Sequence, residues 1–256
     1  MKTISLLGCG WLGLPLAKRL IEIGYSIKGS TTTEVKMDGL KAVGIDPYLI
    51  ALKESNTAAD ASNLSAFLEG SSCLIIAIPP RLRGIEKEDF VVKIKNTLPF
   101  IERSSIKNIL FVSSTAVYKD SSDLDVWTTV DSPTEPDTEN GKQLLAVEQL
   151  LQNVSSISTT IVRMGGLIGA DRHPVKFLAG RKGIENPEAP INLISQEEAI
   201  QLMVTVLEEG NWGKIINGVA PYHPSRKVYY TEKAIALGLA IPEFKEGGVS
   251  IGKKIR

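Results

Sequence analysis

Six residues near the start, Gly8-Cys9-Gly10-Trp11-Leu12-Gly13, limit what the rest of the chain can become. They follow a short apolar run, Lys2 to Leu7, and precede a segment reaching Gly24 whose Leu14, Ala17, Leu20 and Ile21 fall on one helical face. Strand, glycine turn and helix in that order open a βαβ unit, and the spacing G-x-G-x-x-G gives each glycine a task. Gly8 makes the tight turn, Gly10 admits a pyrophosphate close to the backbone, and Gly13 lets helix and strand pack closely. Pro15 lies in the first helical turn, where its missing N–H removes nothing. The helix dipole and amides then face an anion, with Trp11 and Leu12 completing the turn. The expectation is a dinucleotide site on Gly8, Gly10, Trp11, Leu12 and Gly13.

Beyond the first helix, strands and helices keep alternating. Tyr25 to Gly29 reads as a second strand, Asp46 to Leu52 as a third, and Leu64 to Gly70 as a short helix. Cys73 to Ile78 is a continuous apolar run, as a parallel strand covered on both faces requires. Val91 to Ser104 reads as one helix and Ile109 to Val112 as the fifth strand. This pattern predicts an α/β doubly wound parallel sheet, a Rossmann fold. Residues 1–165 form the nucleotide-binding core and residues 166–256 a smaller, interwoven substrate-side region.

Two further stretches bear on the ligand. About 20 residues past the first glycine, a carboxylate normally accepts the ribose 2′-hydroxyl of NAD. Here the chain reads Lys28-Gly29-Ser30-Thr31-Thr32-Thr33, with Lys36 close behind. Ser30, Thr31 and Thr32 therefore border a ribose that tolerates a 2′-phosphate, which favours NADP over NAD. By the strand-end rule for open α/β sheets, Ala77, Ile78 and Pro79 also lie beside the cofactor. Arg81 and Arg83 follow, either to meet an anionic substrate or as solvated loop residues.

Composition excludes several partners. Lys+Arg and Asp+Glu are both 29 in 256 residues, so no net field draws the chain to nucleic acid or an anionic membrane. No apolar run spans a bilayer. Leu6-Leu7-Gly8-Cys9 resembles a lipoprotein cleavage box, yet too few apolar residues precede it to form a signal segment, and a cytoplasmic protein is expected. Cys9 and Cys73 read as small buried residues, and His173 and His223 lack metal-type spacing.

Four later segments carry a family resemblance. Ser113-Ser114-Thr115-Ala116-Val117-Tyr118 is similar to the "SSTxVYG" segment of extended short-chain dehydrogenase/reductases, the NAD-dependent epimerase/dehydratase group. Ile161 to Gly169 resembles that family's "vilR…iyG" strand and turn, Ile191 to Ala199 its "IHVDDLA" element, and Ile215 to Val219 its "yNvg" strand. The resemblance covers nearly the whole chain. It implies NAD(P), a small or nucleotide-sugar substrate, and a Ser/Thr–Tyr–Lys set in which Ser114 matches the Ser/Thr position.

The family's "YGxSKxxxE" helix departs from the pattern here. Aligned on Gly141 and Glu148, Asn140 stands where the tyrosine belongs and Leu144 where the lysine belongs. An amide does not exchange protons near neutral pH, and Leu144 neither lowers a neighbour's pKa nor bonds a ribose. Lys142 lies about 200° round the helix from the vacant position. A literal Y-x-x-x-K at Tyr229 to Lys233 falls after the last core strand and reads as a surface helix feature. Tyr118 is then the nearest phenol to Ser114, with Glu139 a weaker candidate. Arg172-His173 and His223 with Arg226 read as loop residues able to meet a phosphate or carboxylate. Ser195 to Glu198 fits a helix capping box. The chain closes at Ile251 to Arg256 without the final packed helix usual in the family. Two functions stay open: an oxidoreductase-type enzyme with non-standard proton transfer, or a catalytically degenerate NAD(P)-binding sensor or partner protein.

Overall fold

The computed structural model describes residues 2–55, 57–80 and 89–256. The chain clusters into two compact units, each drawn from three separated stretches, so no single cut in the sequence divides them. The first takes residues 1–113, 142–162 and 200–216, and the second takes 114–141, 163–199 and 217–256.

The first unit is built on β1 (Thr3–Leu7), β2 (Ser26–Thr31), β3 (Asp46–Leu49), β4 (Cys73–Ile76), β5 (Asn108–Ser114), β7 (Ser158–Met164) and β10 (Ile215–Gly218). Their order across the sheet is β10-β7-β5-β4-β1-β2-β3. β1 pairs in parallel with β2 and β4, and β2–β3 and β4–β5 are parallel too. The strand order reverses between β1 and β4, so this is the doubly wound sheet the alternation predicts, with its switch point beside the glycine turn.

Burial follows the apolar pattern. All four residues of β4 are buried, as are the last four of β1. Helices α1 (Gly13–Glu22), α2 (Met37–Ala42), α3 (Ala58–Leu68), α4 (Phe90–Lys95) and α5 (Leu98–Arg103) belong to this unit, with most of α6 (Glu139–Gln152) and α8 (Gln196–Glu209). On α1 the face Leu16, Ala17 and Leu20 is fully buried. Each such leucine contributes about 1.5–3 kcal/mol by leaving water. Ser5, buried within β1, is compatible with this core because its hydroxyl donates to Phe67 O at 2.7 Å and accepts from the Ser71 hydroxyl at 2.8 Å.

Several elements differ from their predicted bounds, β2, β4 and β5 by one or two residues at an end and three others by more. The helix expected over Leu64 to Gly70 begins at Ala58, because Thr57 and Asp60 form a reciprocal capping box. The third strand stops at Leu49 instead of Leu52. The single helix expected over Val91 to Ser104 is two, broken at Asn96–Thr97. Pro99 has no N–H for the Lys95 carbonyl, and its ring would collide with that carbonyl in a continuous helix.

The second unit holds two short parallel pairs. β8 (Gly166–Ile168) pairs with β9 (Leu193–Ser195), and β6 (Trp127–Thr128) with β11 (Lys254–Ile255). Helices α7 (Val175–Leu178) and α9 (Arg226–Ala236) close over a small core of Val175, Ile191, Tyr230 and Ala234. Ser195 and Glu198 form the expected capping box, in which Glu198 accepts from both the amide and the hydroxyl of Ser195.

The C-terminal residues are tied in along their length. Gly252 and Ser121 exchange backbone hydrogen bonds at 2.7 and 2.9 Å. The Asn192 amide donates to Lys253 O and accepts from Ile255 N, and Asn217 Nδ2 donates to Arg256 O. Ile255 is fully buried. Truncating Ile255 to alanine is therefore expected to lower stability by about 2–5 kcal/mol, read from the midpoint of urea unfolding. A loss below about 0.5 kcal/mol, the range of neutral surface changes, would show the tail to be peripheral.

Candidate functional site

A cleft of about 530 Å³ opens in the first unit where the chain leaves β1, β2 and β4. Leu7 to Gly10 form its floor, Ser30 to Thr32 one side, and Ala77 to Pro79 the other. Lys36, Ile50 to Lys53, Phe90 and Lys93 complete the lining.

The turn after β1 takes its shape from close contacts that exclude side chains. Gly8 has φ +105°, and a Cβ there would lie 2.6 Å from Ile78 Cγ2 and 3.1 Å from Ala77 O. At Gly13 a Cβ would overlap the carbonyl oxygen of Gly8. Around Gly10, by contrast, nothing lies within 4 Å of where a Cβ would point, so that side of the turn is open. The Gly8 amide donates to Ser30 Oγ at 2.8 Å, and the Cys9 amide to Ser30 O at the same distance. Ser30 thus latches the end of β2 to the turn. Leu12 stands at the N-cap of α1 and makes no side-chain capping bond. Its own side chain is buried, while Trp11 is half-buried. The start of α1 therefore depends on its backbone amides alone, the arrangement that receives anions.

Charge around the cleft is uneven. Among the described residues that line it there is no Asp or Glu. Lys53 is bonded to both oxygens of Asp60, at 3.2 and 3.1 Å. Lys28, which opens the Lys28 to Thr33 stretch, donates from Nζ to Ala66 O and Glu69 O at the end of α3 and lies 5.4 Å from the Tyr48 ring centre. Lys36 remains exposed on the rim beside Thr31 and Thr32. Arg81 and Arg83 lie outside the described residues.

The residues expected to carry proton transfer lie in the second unit and are engaged there. Ser114 Oγ accepts the Ala116 amide at 3.2 Å, fixing the turn after β5. Tyr118 is 1% exposed. Its hydroxyl accepts from Arg163 Nη1 at 2.7 Å and donates its one proton to Asn217 Oδ1 at 3.0 Å, with the guanidinium 4.9 Å from the ring centre. The Tyr118 side chain thus ties the turn after β5 to Arg163 and Asn217. Asn140 is half-buried at the start of α6, where a Cβ on Gly141 would overlap the Ala116 carbonyl. Leu144 is 3% exposed in the first unit, and Lys142 faces solvent. Neither a phenol nor an ammonium group occupies positions 140 and 144. Glu139 is exposed.

The remaining loop candidates find separate partners. His223 Nδ1 bonds Ile191 O at 3.2 Å, with its ring edge-on to Trp127, and Arg226 donates to Glu185 O. His173, from the loop before α7, meets Tyr229 of α9. The sequence reading missed Ile50 to Lys53, Phe90 and Lys93 in the cleft. Applying the strand-end rule to β3 would have found the first of these. Arg163 and Asn217 were visible only as polar residues in apolar strand runs.

The fold, with its cleft at the β1/β4 switch point, is that of the extended short-chain dehydrogenase/reductases. A short-chain dehydrogenase/reductase superfamily protein from Agrobacterium tumefaciens with bound NAD superposes with a TM-score of 0.77 at 15% identity, covering 99% of this chain and 88% of that one. A UDP-glucose 4-epimerase from Thermotoga maritima, solved with UDP-glucose, gives 0.79 at 14% identity over 99% and 89%. A UDP-N-acetylglucosamine 4-epimerase from Bacillus cereus gives 0.75 at 14% over 100% and 86%. No family profile matches the chain. Protein YeeZ of Escherichia coli K12 is 34% identical over 245 residues, which span 96% of this chain and 87% of YeeZ, and the chain belongs to the YeeZ family. Among the described residues no helix is long and apolar enough to cross a membrane.

The two cysteines give a direct check on the cleft floor. Burial pushes the Cys9 thiol up to about 12, and burial also raises Cys73. Thiolate is the reactive form, so neither cysteine is expected to react with a thiol reagent at pH 8 in the folded protein, and both react once it is unfolded. Rapid labelling of Cys9 in the native state would show that the floor is open.

Proposed function

We propose that this chain binds a pyridine dinucleotide in the cleft of its first unit, NADP in preference to NAD, and that it does so in the cytoplasm. The observation that carries the proposal is the rim at the end of β2: two threonines and Lys36, with no carboxylate among the described residues of the lining. A 2′-phosphate meets a cation and hydroxyls there, whereas NAD loses the carboxylate that usually holds its 2′-hydroxyl. The open side of Gly10 and the start of α1 suit the pyrophosphate, and Ile50 to Leu52 with Ala77 to Pro79 supply apolar walls for adenine. When bound, the nicotinamide supplies hydride chemistry.

Binding and turnover separate in this protein. With Asn140 and Leu144 in the aligned helix and the Tyr118 proton held by Asn217, the reading supported best is a dinucleotide-holding sensor or partner protein without Tyr–Lys proton transfer. A second reading is an oxidoreductase acting on a nucleotide sugar through another acid. It is favoured by the fold shared with an epimerase that was solved with UDP-glucose.

Calorimetric titration tests binding. NADP is expected to bind more tightly than NAD, and Lys36→Glu to weaken NADP by about tenfold or more while leaving NAD within about twofold. One charge-assisted hydrogen bond, about 1.5–3 kcal/mol, sets that scale. Absence of heat with either dinucleotide in a folded sample would overturn the proposal. Absorbance at 340 nm, followed with UDP-sugars and small carbonyls, is expected to stay flat, and any steady change favours the second reading.

A further inference from the structure

We infer that His173, Tyr229, Lys233 and Lys176 of the second unit form a binding site for a phosphate group. The site lies outside the dinucleotide cleft, and the inference holds whether or not that cleft is filled.

The hydrogen bonds around His173 fix its tautomer. Nδ1 accepts the Val175 amide at 3.2 Å, which places the ring proton of the neutral imidazole on Nε2. Nε2 lies 2.9 Å from Tyr229 Oη and donates to it, and the two rings stack at 18° with centres 5.7 Å apart. Since His173 occupies an acceptor position of the phenol, the Tyr229 proton must find a different acceptor. No described residue supplies one.

Two lysines follow this pair in the chain, Lys176 three residues after His173 and Lys233 four after Tyr229. Lys233, one helical turn beyond Tyr229 on α9, holds its ammonium 5.9 Å from the Tyr229 ring centre. Lys176, on α7, makes only a long 3.5 Å contact to the Asp171 carbonyl. Neither lysine has a carboxylate within ion-pair distance among the described residues. Glu232 is next to Lys233 in sequence but about 100° round the helix. Asp171 and Arg172, on the loop before His173, are engaged with partners of their own. Burial and the positive charges of Lys233 and Lys176 hold His173 below its usual range, and no carboxylate offsets them. The Tyr229 proton has no acceptor among the described residues, and the charges of Lys233 and Lys176 both act on the half-buried imidazole. A dianionic, multi-oxygen ligand completes that set, and phosphate has both the charge and the number of oxygens.

The chain's two histidines make the test direct. In His223→Gln protein, the single remaining imidazole C2–H resonance reports His173. Titrating inorganic phosphate at constant ionic strength is expected to shift that resonance saturably and to raise its titration midpoint, because a bound anion favours the imidazolium. The double variant Lys176→Met, Lys233→Met should weaken phosphate binding by tenfold or more. Tyr229→Phe should weaken it severalfold with its circular dichroism unchanged. Three results would overturn the inference: no saturation by 50 mM phosphate, equal affinity in the double variant, or equal saturation by acetate.

Discussion

The Gly8 amide donates to the hydroxyl of Ser30, and the arrangement of the first unit depends on that bond. It joins the exit of β1 to the end of β2 at the one place where both chains turn away from the sheet. The Gly8 carbonyl can then receive the close approach of Gly13, which brings α1 down onto the strand it follows. On the far side, Gly8 abuts Ala77 and Ile78 as they leave β4. Three strand ends and one helix start are thereby set within a few ångströms of one another. A cleft appears there because the backbone comes so close that no side chain can fill the space.

Local chemistry was legible in the sequence wherever neighbours along the chain decide the outcome. The glycine turn, the apolar run of β4 and the Ser195 capping box all depend on residues a few positions apart. Where distant segments decide, the sequence was mute. Nothing near Lys28 in the chain shows that its ammonium meets the carbonyls of Ala66 and Glu69, about 40 residues on. Tyr118 meets Arg163 and Asn217, 45 and 99 residues away, and no local signal announces either contact. The split of the helix after β4 was readable from Pro99, and the periodicity of the apolar residues on both sides masked it.

The same contrast bears on the chemistry. Family resemblance directs attention to Ser114 and Tyr118, and both make hydrogen bonds within the second unit, Ser114 to the Ala116 amide and Tyr118 to Arg163 and Asn217. An arginine, a phenol and an amide in series stiffen the region where the usual proton-transfer group is absent. Positions 140 and 144 carry an amide and an aliphatic side chain, neither of which titrates.

The pairing of β6 with β11 carries a consequence for the order in which the molecule is completed. Trp127 and Thr128 emerge from the ribosome long before Lys254 and Ile255, by about 6–25 s at about 5–20 residues per second. Throughout that interval the edge of β6 has no strand beside it, and the Asn192 and Asn217 amides have none of their tail partners. Such sequence-distant closure is slow and leaves polar backbone exposed to chance encounters. The β6–β11 pair therefore forms only once Lys254 and Ile255 have been made, and β6 is most vulnerable before then.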